Sequence, residues 1–157
     1  MVKDIPPLSL KDFKLVPILL LVNIAGFSVI LWPLVNTGGI TSFTIYFSLG
    51  FFLLWGVLTF VFKKGTTFLQ FIFLWLVSSF MGIIAMVLLI KLYIQGSNLN
   101  AIITIPSIAC CISFGIILFF RKYQKVKSNP AFLFSLSTWS WLLAMAFFVF
   151  FGMNTSS

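Results

Sequence analysis

Five stretches of this chain contain no charged residue and are each about 20 residues long or slightly longer. They are Leu15–Val35, Phe43–Phe62, Phe68–Ile90, Ala101–Phe120 and Ala131–Gly152. A helix rises 1.5 Å per residue, so roughly 20 apolar residues cross the hydrocarbon core of a bilayer. A soluble domain is about a quarter charged. This chain is 8% charged and 61% hydrophobic over 157 residues, too little polar surface to cover a soluble fold. The expected architecture is an all-α integral membrane protein, a five-transmembrane-helix bundle forming one domain over residues 1–157.

The ends of the runs carry turn chemistry. "NTGGITS" begins at Asn36, "KKGTT" at Lys63, "QGSNLN" at Gln95 and "KSNP" at Lys127. Gly, Asn, Ser and Pro at these points end helices and form short loops. A membrane β-barrel needs strands of alternating polarity, and none is present. The first run is longer than the apolar core of a signal peptide, and no small-residue cleavage pattern follows it. It is read as a span. Loops this short leave no room for an extramembrane catalytic domain.

The cations fall on one side of such a bundle. Lys3, Lys11 and Lys14 precede the first run, Lys63 and Lys64 follow the second, and Arg121, Lys122, Lys125 and Lys127 follow the fourth. With alternating helices these nine share a face, and only Lys91 lies toward the other. Lysine and arginine are retained on the cytoplasmic side of membrane proteins. The N-terminus is therefore expected in the cytoplasm, the C-terminus outside, and the protein in the cell (inner) membrane as a multi-pass chain. The net charge of +8 is then a topology signal that also attracts anionic lipid, by about 1 kcal/mol per cation. No nucleic-acid partner is implied.

The chemistry the chain lacks is informative. It has no histidine and no glutamate, and its two acids, Asp4 and Asp12, precede the first run. Proton relays and ion-coupled carriers place ionisable groups inside spans, and here only Lys91 comes close, at a boundary. An enzyme acting alone is not expected, and neither a cofactor nor a metal site is indicated. Cys110 and Cys111 are neighbours on a helix and point about 100° apart, which disfavours a disulfide. They read as small packing residues.

Two patterns remain. Ser107, Cys111 and Gly115 recur every four residues along the fourth run, Ser78 and Gly82 do so in the third, and Ser140 and Ala144 in the fifth. Small stripes let helix backbones approach closely in lipid. Packing within the protomer is the first reading, and a docking face for another protein is the sharper one. Separately, Asn23, Gln70, Ser137 and Thr138, with Ser135 and Ser140 beside them, fall between the expected inner interface and the midplane. Interhelical hydrogen bonding is the simpler account of this polar seam, and a small cavity open to the cytoplasm is the alternative. Pro106, in the first turns of the fourth run, is a candidate kink. The Asn154-Thr155-Ser156 sequon lies too close to the last span to be read as a glycosylation site.

Two functional classes fit. The first is a non-enzymatic membrane protein acting through helix contacts with another membrane protein, as an accessory or assembly subunit or as an immunity or exclusion-type blocker. The second is a homo-oligomeric transporter or channel for an uncharged solute or ion, with the polar seam as its path.

Overall fold

The computed structural model describes residues 6–36, 42–94 and 99–154. Within them the chain forms a one-turn 3₁₀ segment, Leu10–Phe13, and five long helices. These are α1 (Val16–Asn36), α2 (Ser42–Val61), α3 (Phe68–Ile94), α4 (Leu99–Gln124) and α5 (Pro130–Asn154). All five are long and apolar enough to cross a membrane, and the described residues contain no strand. Residues 1–5, 37–41, 95–98 and 155–157 lie outside the described residues.

The helices match the five apolar runs but outlast them at several ends. α3 continues to Ile94, taking Lys91 into its last turn, and α4 extends through Arg121 to Gln124. Charge does not end a helix, because the backbone stays satisfied within it. Backbone geometry does end one. Lys125 turns left-handed, with φ of 50°, and the Val126 amide returns to the Arg121 carbonyl at 3.4 Å, the six-to-one bond of a Schellman ending. The Arg121 Nε then donates to the Val126 carbonyl at 3.0 Å. At the start of α5, Asn129 caps the helix by accepting from the Phe132 amide at 2.7 Å. Pro130 supplies the first helical residue, where its missing N–H costs nothing. Pro106 is buried inside α4, just past its second turn.

α5 is the centre of the bundle. It packs against each of the other four helices and against the 3₁₀ segment, and α4 touches α1 and α3 while α1 touches α2. The outer helices therefore run α2, α1, α4, α3 around α5. The α5 span is 78% enclosed by protein, against 22–33% for the other four. From Ala131 to Thr138 every α5 side chain is buried. A helix buried on all sides has no lipid face to keep apolar, so hydroxyls can occupy any position that finds a partner.

Two glycines set the approach of outer helices. A β-carbon at Gly26 would collide with the Phe51 ring, so this glycine is the socket through which α1 admits α2. One at Gly82 would come 3.3 Å from the Ser140 carbonyl oxygen, so α3 lies directly on the α5 backbone there.

Candidate functional site

One turn of α5 carries a polar link to every outer helix. Ser135 meets Thr59 of α2 at 2.8 Å. Because the Thr59 proton is committed to the Trp55 carbonyl at 2.7 Å, Ser135 is the donor. The Leu136 carbonyl accepts from Ser78 of α3 at 3.3 Å. Ser137 donates to the Cys110 carbonyl of α4 at 3.4 Å. Thr138 accepts from the Asn23 amide nitrogen of α1 at 3.0 Å. The Thr138 proton goes to the Phe134 carbonyl at 3.0 Å, which leaves the Cys110 thiol as donor in the 3.2 Å contact between those two side chains. Asn23 also reaches the Cys110 sulfur at 3.5 Å. Each interhelical bond in lipid is worth about 0.6–2 kcal/mol, and four linked helices fix the rotation and depth of α5.

Most of the seam expected from sequence is thus one structure: Asn23, Ser137 and Thr138 meet with Cys110, all of them buried. Gln70 does not join them. Its side chain accepts from the Thr67 amide at 3.2 Å, and its own amide donates to the Thr67 hydroxyl at 3.4 Å. This is a capping box at the start of α3. The signal was readable, since Thr67-Phe68-Leu69-Gln70 has the Thr-x-x-Gln form. Thr59 and Gly26 are the residues that sequence reasoning passed over, and Cys110, read as a small packing residue, is also a member of the hub. The hub contains no carboxylate, imidazole or amine, and it lies inside the protomer rather than on its surface. Among the described residues no group of three His, Cys, Asp or Glu could hold a metal ion. What the hub does chemically is hold helices in register.

The Asn23 carbonyl oxygen and the Ser140 hydroxyl are buried with no protein partner, and so are the indole nitrogens of Trp55, Trp75, Trp139 and Trp141. Burying such groups unpaired is costly in a medium without water. The polar atoms at the centre of the bundle are therefore only partly offset by the hub's hydrogen bonds.

The small-residue stripes divide into two kinds. Ser78 and Gly82 of α3 face α5 at Leu136 and Ser140, and Ser140 and Ala144 are themselves buried. These pairs are consumed by packing within the protomer. The α4 stripe is not. Cys111 and Gly115 are exposed, Ser107 is half-buried, and a β-carbon at Gly115 would meet nothing within 4 Å. The inward face of α4 is instead the adjacent row: Pro106, Cys110, Ser113, Ile117 and Arg121, all buried. The two cysteines divide the same way, Cys110 buried and Cys111 exposed.

The cations gather at one end. Gly65, in the loop from α2 to α3, takes a positive φ of 82° and presses against the Lys127 carbonyl in the loop from α4 to α5. Asp12, in the 3₁₀ segment, interacts electrostatically with Arg121. Lys64, Lys122, Lys125 and Lys127 are exposed there, and Lys63 is half-buried. Arg121 departs from the group, because its side chain is buried and bonded to the loop backbone. It is a structural residue as well as a charge.

No protein-family model, no curated protein and no solved structure matches this chain.

Proposed function

We propose that this small, multi-pass, all-helical membrane protein works without catalysis, by laying the outer face of α4 against a helix of another integral membrane protein. The observation that carries the reading is the contrast between stripes. Two of the three small-residue sets are used up around α5. The third is open at Cys111 and Gly115, with Ser107 half-buried at its end, and presents a close-approach surface away from the bundle. Lipid does not need such a surface, whereas a helix partner gains van der Waals contact from it. An accessory or assembly subunit and an immunity or exclusion-type blocker both act in this way. The cation-rich end lies in the cytoplasm of the cell (inner) membrane in this reading, against anionic lipid.

The channel alternative draws less support. Its path runs along the polar seam, where Asn23, Ser135, Ser137 and Thr138 are engaged in contacts within the protomer and Gln70 stands apart at the start of α3.

The experiment is a substitution with two readouts. Gly115→Leu places an isobutyl group on the open face. Recovery of the partner, or of a second copy, in mild detergent should fall about fivefold or more, the equivalent of the 1–3 kcal/mol cost of overpacking, while the protomer stays folded. Ile116→Leu is the volume-neutral control. Unchanged recovery with Gly115→Leu rules out this face.

A further inference from the structure

We propose that a groove along α2, floored by Trp139 of α5, holds one acyl chain of a phospholipid whose net-negative headgroup rests on Lys63 and Lys64. α2 and α3 are consecutive in sequence, yet each packs mainly against its own flank of α5. Trp139 of α5 forms the floor between them. Its ring lies 5.6 Å from that of Phe52 on α2 and 6.2 Å from that of Trp75 on α3, centroid to centroid. Over it is a cavity of about 320 Å³, running along α2 from Phe52 past Gly56 to Phe60 and Val61. Gly56 keeps the groove deep, since a β-carbon there would sit 3.4 Å from the Trp139 nitrogen.

The lining is carbon almost throughout, so the cavity suits a hydrocarbon chain and offers a polar solute nothing. Its mouth is the opposite. Phe60, which lines the cavity, also carries the Lys63 ammonium 5.7 Å from its ring centroid. Phe68 and Phe71 of α3 hold the same ammonium at 5.7 and 4.9 Å. Rings from α2 and α3 thus fix one cation where the groove ends. Lys64 follows it, and the Gly65 contact brings the Lys127 backbone to the same place. An apolar slot closed by clustered cations complements a lipid: tail in the slot, phosphate on the ammoniums. This face is separate from the α4 stripe, so the inference stands whether or not that stripe binds a partner.

The test uses the full chain reconstituted into vesicles of phosphatidylcholine containing brominated-chain phosphatidylglycerol, or brominated-chain phosphatidylcholine in its place. Bromine quenches an indole it touches, and the wild-type signal minus that of Trp139→Phe reports Trp139. Each lysine attracts an anionic headgroup about fivefold. Half-quenching of Trp139 should therefore need roughly 25-fold less brominated phosphatidylglycerol than brominated phosphatidylcholine. Lys63→Gln with Lys64→Gln should remove the preference. In the wild type, raising salt to about 1 M should shrink it, because screening then acts within about 3 Å. Equal quenching by the two lipids overturns the proposal, and so does a preference that survives both the lysine substitutions and salt. Absence of quenching by either lipid overturns it too, by showing the groove closed or covered by a second copy.

Discussion

Gly82→Leu tests the placement of α5 at the bundle centre. A β-carbon at Gly82 would lie 3.3 Å from the Ser140 carbonyl oxygen, and 3.5 Å from both the Ser140 carbonyl carbon and the Trp141 Cα. These are backbone atoms of the most enclosed helix, so they cannot swing aside as a side chain can. Alanine requires a shift of a few tenths of an ångström. Leucine requires α3 to move off α5, at about 1–3 kcal/mol. One turn away on the same face, the Ser78 bond to the Leu136 carbonyl is already 3.3 Å long. Displacing α3 breaks it, adding about 0.6 kcal/mol, an average value for such bonds in lipid. The total is about 1.6–3.6 kcal/mol, roughly a 15- to 450-fold shift toward the unfolded state. Ile83→Leu, on the exposed side of the same turn, is the control. Denaturant unfolding of the purified protein in detergent measures both. A Gly82→Leu midpoint equal to that of the control would refute the close α3–α5 contact.

Asn23→Leu should cost only about 1–2 kcal/mol, since it removes two hydrogen bonds to Thr138 and Cys110 but also removes an unpaired buried carbonyl. The same unfolding assay checks this, and a loss above about 4 kcal/mol would mean that the hub is more than a positioning device. Reporter fusions after Lys64 and Lys127 should read cytoplasmic, and fusions after Gly39, Asn98 and Ser157 external. A cytoplasmic reading at Ser157 would contradict the expected orientation.

The existence of the helices was legible because a bilayer imposes a length, and the five charge-free runs meet it. The arrangement was less legible, because lipid and protein core are both apolar and hydrophobic pattern cannot tell them apart. α4 illustrates this. Small residues occupy both the row through Ser107, Cys111 and Gly115 and the row through Pro106, Cys110 and Ser113, and nothing in their polarity said which faced inward. α5 did carry a signal. At 100° per residue, Ser135, Ser137, Thr138 and Ser140 point around the whole circumference, and a helix with hydroxyls on every side must be surrounded by protein. Asn23, Ser137 and Thr138 shared a depth in the sequence, and the structure brings them together around Cys110. Gln70 shared that depth, but its own capping box held it at the helix end.

The measurement that bears most directly on the account is photo-crosslinking from the α4 face in native membranes. A benzophenone amino acid at Ile112, which is exposed beside Cys111, samples whatever covers the stripe without filling it. The same group at Leu21, exposed on α1, samples a face with no assigned partner. The account predicts a protein adduct of discrete mass from Ile112, containing another integral membrane protein or a second copy, and lipid adducts alone from Leu21. Lipid adducts alone from both positions would contradict it.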